Sequence, residues 1–423
     1  MLRTRACSRA PEPITRTRTV GKGRGPRRPG GHRMRDPDAC HNAGRPAVSS
    51  RVHRGDVART APVASPDVRR PQTGPIIARP GGQPVVDLGS GATTPLVIAH
   101  RGASGYRPEH TLAAYELGVR LGADAFEPDL VSTADGVLVA RHEPEIGRTT
   151  DIGSRPEFAD RRTTKTVDGV THEGWFVDDL TLAELRTLRA VERIPDVRRR
   201  NTVHDGRYGI ATLDEILELR ARLSAELGRP IGLFPEIKHS SWFAARGLPI
   251  EPALVDTLDR HGLNRPGSPV WVQSFETTNL VALRGALRTG LVQLLDDHGA
   301  PADLAAAGDP RTFADLATPA GFAGIARYAD AVGAAKPLVD PLLVAEAHDA
   351  GLSVLVFTLR NENRFLPADL RRPGPDGAWH DDDFGDAFAE CERYLRLGVE
   401  GVFSDHPDTA VAVRDALVAP LIG

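Results

Sequence analysis

The chain has 423 residues, 40% hydrophobic and 26% charged, enough to bury one domain of about 250 to 330 residues with a tail to spare. No run approaches the roughly 18 to 20 uncharged apolar residues of a spanning helix, so stable membrane insertion is not expected. The formal net charge of −3 averages two unlike parts: residues 1–92 carry 18 Lys+Arg against 6 Asp+Glu, and the remainder carries 35 against 50.

Residues 1–92 contain no Phe, Trp or Tyr and hold 12 of the 34 prolines. Such a segment buries too little apolar surface to offset its ordering entropy, and it is expected to be a disordered, dispensable basic extension. It lacks the aromatic residues that stack on bases, so no nucleic-acid partner is expected. Arg27-Arg28 is not followed by an apolar stretch of the kind an export signal needs. Taken literally, the chain is therefore cytoplasmic, and periplasmic or extracellular if its start is misassigned. Cys7 and Cys40 lie in the tail and Cys391 alone in the domain, which leaves no disulfide framework there.

From about Pro95, short β-rich runs alternate with amphipathic helices. The predicted strands are Leu96–Ala99, Ala125–Val131, Val137–Ala140, Ile231–Ile237, Val270–Phe275, Leu291–Leu295, Ser353–Leu359 and Gly401–Ser404. The predicted helices are Thr111–Leu121, Leu213–Leu223, Pro252–Leu263, Thr278–Leu287, Leu342–Leu352 and Phe384–Leu397. Thr212 with Glu215 offers a capping-box start for the second. Repeated strand-helix units predict an α/β fold with a parallel sheet. Eight strands fit a closed (β/α)8 barrel of the TIM type over residues 93–420, although an open doubly wound sheet has the same local signature. The placement of polar residues favours the barrel. His100, Glu127, Asp129, His142, Glu236, Lys238 and Gln273 all fall within or at the C-terminal ends of apolar strands, which converge on one face of a barrel.

Glu127 and Asp129 are two apart in a strand and point to one face; Glu236 and Lys238 repeat that spacing on a later strand. Three carboxylates aimed into one mouth repel one another unless a cation neutralises them. A single hard divalent ion, Ca2+ or Mg2+, is the simplest solution, whereas a lone Glu-x-Asp more often pairs with Arg or Lys. His100 and His142 suit base and acid roles near neutral pH, and Arg101 suits phosphate oxygens. The Arg-rich stretch 198–208 reads as a solvated loop, with a place lining the entrance as the alternative.

These residues carry a resemblance. Ala99-His100-Arg101-Gly102-Ala103-Ser104-Gly105-Tyr106-Arg107-Pro108-Glu109-His110-Thr111 resembles the opening signature of the glycerophosphodiester phosphodiesterases, in particular the long bacterial form that is typically periplasmic. Phe126-Glu127-Pro128-Asp129-Leu130, Arg141-His142-Glu143, Phe234-Pro235-Glu236-Ile237-Lys238 and Gly401-Val402-Phe403-Ser404-Asp405-His406-Pro407-Asp408 match in register and order, within a resemblance spanning about residues 95–415.

The resemblance implies that His100 and His142 are the acid and base, and that Glu127, Asp129 and Glu236 hold the metal. It further implies that Arg101 and Lys238 hold the phosphate, with Glu109 near the metal; Gln273, from its strand-end position alone, is expected in the layer behind. The implied reaction releases glycerol 3-phosphate and an alcohol through a cyclic phosphate, from a small glycerophosphodiester substrate. The oligomeric state and the head-group alcohol stay open. A phospholipase D-like or lysophospholipid phosphodiesterase of the same barrel type is the alternative, and a catalytically dead barrel that only binds is a third reading. Glu143, Phe357-Thr358-Leu359-Arg360 and Ser404-Asp405-His406 depart from the common pattern, and His406 leaves an aromatic wall of the alcohol pocket in doubt.

Overall fold

The computed structural model describes residues 94–418. The expected disordered extension, with Cys7 and Cys40, lies outside the described residues.

The strands, in chain order, are β1 (Leu96–His100), β2 (Ala125–Glu127), β3 (Asp129–Ser132), β4 (Leu138–Ala140), β5 (Thr163–Val167), β6 (Val170–Gly174), β7 (Gly232–Leu233), β8 (Glu236–Ile237), β9 (Trp271–Ser274), β10 (Gly290–Leu295), β11 (Ala331–Ala335), β12 (Ser353–Leu359) and β13 (Gly401–Ser404). β2 and β3 are two halves of one barrel position interrupted at Pro128, whose missing N–H cannot join the ladder. β7 and β8 are likewise two halves, separated by Phe234 and Pro235. β1 pairs in parallel with β2 on one side and with β13 on the other. From β2 the pairing runs through β7, and from β3 through β8, to β9, β10, β11, β12 and β13. The ring therefore closes with eight parallel positions.

The register sets the polar residues side by side. His100 is paired with Glu127, Asp129 with Glu236, and Glu236 with Gln273. Because neighbouring residues in a parallel ladder stand about 5 Å apart, this alone gathers four acids and amides with a histidine at one end of the barrel. Below them the interior is filled by Leu96, Ile98, Phe234, Trp271, Leu294, Leu355 and Phe403. The floor of the site is thus dry and packed rather than a channel. A larger apolar layer, including Val97, Phe126, Leu233, Val272, Val332 and Val402, lies between the strands and the surrounding helices.

Two expectations need correction. The predicted strand Val137–Ala140 is not a barrel strand: β4 runs antiparallel to β3 as the return arm of a hairpin. The missing barrel position is β11, Ala-Val-Gly-Ala-Ala, which has one β-branched residue and so carries almost no strand signal. Space is tight at Gly333, where a side chain would press within 2.5 Å of Leu294.

The capping box is present: Thr212 Oγ1 accepts from Glu215 N at 3.2 Å, and Glu215 Oε2 accepts from Thr212 N at 2.9 Å. It starts the helix Leu213–Leu227, which ends at Gly228 in the left-handed conformation that glycine favours.

Gly118, in the helix Leu112–Arg120, has the opposite job of letting that helix approach β1. A methyl there would lie 2.7 Å from the Ala99 methyl. Gly→Ala inside a helix ordinarily stabilises by about 0.5–1 kcal/mol. Gly118→Ala is expected instead to destabilise by about 1–3 kcal/mol through overpacking. A lower urea midpoint checks this; an unchanged or higher one contradicts the close approach.

Between β4 and Leu213 the chain makes a long excursion containing the β5–β6 hairpin. Its turn residue Asp168 accepts from His239 Nδ1 at 2.6 Å, and Thr166 O accepts from Trp242 Nε1 at 2.8 Å. The hairpin is thereby tied to the segment that follows Lys238.

Candidate active site

Glu127, Asp129 and Glu236 are all buried, and each offers an oxygen within 4.8 Å of the other two. Glu127 Oε2 and Asp129 Oδ1 accept no hydrogen bond, a costly state for buried carboxylate oxygens that have given up water. Their remaining oxygens are fixed from behind. Gln273 Nε2 donates to Glu127 Oε1 at 2.6 Å, and His110 Nε2 donates to Asp129 Oδ2 at 2.9 Å, with Tyr115 OH 2.8 Å from the other ring nitrogen. Lys238 Nζ stands 2.5 Å from Glu236 Oε1 and 3.9 Å from Asp129 Oδ1. Arg101 Nε lies 3.4 Å from Asp129 Oδ2.

Burial and mutual repulsion act against the charge on two of the three carboxylates. Burial, then the carboxylates of Asp129 and Glu236, push the Glu127 carboxyl well above its usual range. Burial acts on Asp129 in the same direction, but Lys238, His110 and Arg101 outweigh it and hold that carboxyl well below. Burial raises Glu236 to about 8 against the pull of Lys238, with Asp129 adding to the rise. Three oxygen donors, two with bare inward oxygens, fit a hard divalent cation by donor type and by charge.

His100 closes one side. Its Nδ1 is 2.5 Å from Asp405 Oδ1, while Nε2 lies 3.6 Å from Glu127 Oε2 and 3.4 Å from Thr358 Oγ1. Burial lowers its pKa to about 4 in spite of Asp405, so the imidazole is neutral at pH 7 and can take up a proton. Asp405 also accepts from Arg198 NH2 at 2.5 Å and Arg360 Nε at 2.9 Å.

His142 follows the hairpin strand β4 and is partly exposed; its Nδ1 is 2.6 Å from Glu143 Oε1. Arg193 links this pair to the cluster. Its guanidinium donates to both Glu143 oxygens at 2.7 Å and to Glu109 at 2.5 and 2.7 Å, and Arg101 NH1 donates to Glu109 at 3.1 Å. Burial opposes the Glu109 charge, but Arg193 and Arg101 outweigh it and hold the carboxyl well below its usual range. Glu109 therefore faces two guanidiniums, as an anchor for Arg101.

The structure brings His100, Arg101, Glu109, Glu127, Asp129, Glu236, Lys238 and Gln273 into one buried cluster and joins His142 to it through Glu143 and Arg193. Sequence reasoning passed over His110, Arg193, Asp405, Arg360 and Glu362. The reading of 198–208 as a solvated loop holds for the exposed Arg199, Arg200 and Asp205 to Arg207 but fails for Arg198 and Asn201, which are buried. Arg198 Nε donates to Glu362 Oε1 at 2.6 Å and NH1 to Ser104 O at 3.0 Å. His406 is packed inside the domain. Its ring is fully buried, edge-on to Tyr106 and Phe384 at 5.1 Å, and a side chain on Gly105 would overlap it.

The profile of the glycerophosphoryl diester phosphodiesterase family matches residues 100–409. The chain is 32% identical over 336 residues to a glycerophosphodiester phosphodiesterase of Arabidopsis thaliana, covering 74% of this chain and 83% of that one. It is 26% identical over 351 residues to the glycerophosphodiester phosphodiesterase of Haemophilus influenzae, covering 75% and 88%. Among solved structures, an Oleispira antarctica phosphodiesterase in complex with the product sn-glycerol-3-phosphate superposes with a TM-score of 0.50 at 21% identity, covering 76% of this chain and 97% of that one. Family profile, relatives and barrel agree: the chain belongs to the glycerophosphodiester phosphodiesterase family and is an enzyme of that class.

Proposed function

We propose that this enzyme cleaves glycerophosphodiesters in two steps, through a cyclic phosphate, with one divalent cation, Ca2+ or Mg2+, held by Glu127, Asp129 and Glu236. The observation that carries this reading is the buried triad with two bare oxygens, set beside a neutral histidine whose Nε2 is turned toward it. When bound, the cation supplies positive charge to the phosphoryl oxygens and so favours attack on an anion. Arg101 and Lys238 bind the same phosphate and neutralise the charge that develops on it.

His100 Nε2 takes the proton from the glycerol hydroxyl next to the ester as that oxygen bonds to phosphorus. The bond from phosphorus to the departing alcohol breaks, and the alcohol leaves with a proton from His142. Water then opens the cyclic ester with the two roles exchanged, giving glycerol 3-phosphate. The Oleispira relative holds that compound as its product, which supports a small-molecule glycerophosphodiester as the substrate.

The test is glycerophosphocholine hydrolysis coupled to glycerol 3-phosphate dehydrogenase, with metal and with EDTA. Metal-dependent release of glycerol 3-phosphate is expected. Cleavage of lysophosphatidylcholine with none of glycerophosphocholine would overturn this reading in favour of a lysophospholipid enzyme. That control is warranted because Trp379, Phe384 and Phe388 are exposed in the stretch after β12.

A further inference from the structure

We propose that Asp405, clamped by Arg198 and Arg360, is the positioning residue that fixes the tautomer and aim of His100. The proposal rests on the reading of His100 as the base. Among its contacts, Asp405 Oδ1 faces His100 Nδ1 at 2.5 Å, and Oδ2 accepts from Arg198 NH2 at 2.5 Å and Arg360 Nε at 2.9 Å. All four side chains are largely shielded from solvent, and Asp405 is 2% exposed. An ionised carboxylate only accepts, so the nitrogen facing it must be Nδ1–H. The lone pair is left on Nε2, the atom turned toward Glu127 and Thr358. Burial opposes the Asp405 charge, but Arg198, Arg360 and His100 outweigh it and keep the carboxyl well below its usual range.

The clamp is built from distant parts of the chain. Arg360 follows β12, and Arg198 belongs to the long excursion after β4, where it also bonds Glu362 Oε1 and Ser104 O. Ser104 Oγ in turn donates to His100 O at 2.9 Å. The excursion thus reaches behind the base and holds both its ring partner and its backbone. Asp405 touches no reacting atom in this arrangement; it acts through His100.

The two arginines make an isosteric change decisive. In Asp405→Asn the amide oxygen must face Arg198 and Arg360, which can only donate. The amide NH2 then points at His100 Nδ1 and can only be accepted there. The proton moves to Nε2, and the atom that should receive the hydroxyl proton already carries one. An Asp→Asn change that reverses a catalytic tautomer lowers turnover by up to about 10⁴-fold.

The experiment uses the full-length, metal-loaded enzyme labelled with 15N-histidine, the His100 signals being assigned by their loss in His100→Ala. Wild type is expected to show a neutral ring protonated at Nδ1. An Nε2–H ring or an imidazolium overturns the proposal, whether or not any variant folds. Asp405→Asn is expected to show the Nε2–H form, a kcat lower by about 10² to 10⁴-fold and a KM within about threefold of wild type. Unchanged kcat, or loss of activity with the Nδ1–H form retained, overturns it. A fully active His100→Ala enzyme would instead remove the base assignment itself.

Discussion

His100→Ala is expected to lower kcat for glycerophosphocholine by at least about 10²-fold while the protein stays folded and still binds glycerol 3-phosphate. The ring contributes little to the packed interior of the barrel, which is formed by Ile98, Phe234, Trp271 and Phe403 beneath it. Its loss removes the proton acceptor and leaves the phosphate-binding side chains Arg101 and Lys238 anchored by Glu109 and Glu236. Turnover and product affinity should therefore separate. A stopped assay for kcat beside calorimetry with glycerol 3-phosphate measures both, and full activity would sink the role given to His100.

Glu127→Gln is expected to abolish measurable turnover and at the same time to raise the melting temperature of the metal-free protein. The two effects share one cause. Glu127 is buried, and Asp129 and Glu236 add to the burial that pushes its carboxyl well above the usual range, so its charge is a liability until a cation is bound. The neutral amide keeps an oxygen for the Gln273 Nε2 donor, which sits 2.6 Å away, and so spares the hydrogen bond while removing the repulsion. For the wild type, Ca2+ or Mg2+ at about 100 times its Kd should add about 2.7 kcal/mol of stability. In the variant that increment should be lost or much reduced. Differential scanning calorimetry with and without metal decides: a metal-free variant less stable than metal-free wild type, with the metal increment intact, contradicts the triad as the cation site.

The strand ends that bear chemistry were legible because a charged residue inside an apolar run is costly to bury unless an ion, a ligand or an opposite charge meets it. Glu127, Asp129, Glu236 and Lys238 stand out that way, and the observed register places Asp129, Glu236 and Gln273 in one row. What the sequence concealed has two physical sources. β11 has one β-branched residue among alanines and a glycine packed against Leu294, so the pattern that marks a strand is missing from it. The residues behind the site, Arg193, Arg198, Arg360, His110 and Asp405, lie on loops and strand ends, and their partners are up to 305 residues away in sequence. An arginine in an Arg-rich loop looks solvated until a buried carboxylate is seen opposite it. Asp405 and His110 sat inside recognised motifs, yet spacing alone gives no sign of which ring or carboxylate each one faces.

The step on which the proposed mechanism depends is attack by the substrate's own hydroxyl, with the proton passing to His100. The most direct measurement is the rate of cleavage of a glycerophosphocholine analogue in which hydrogen replaces the hydroxyl next to the ester. The analogue is expected still to compete for the site but to be cleaved at least about 10³-fold more slowly, since the nucleophile held in place by binding is gone. Cleavage at a rate near that of glycerophosphocholine would show that water attacks directly, and would contradict the cyclic-phosphate route.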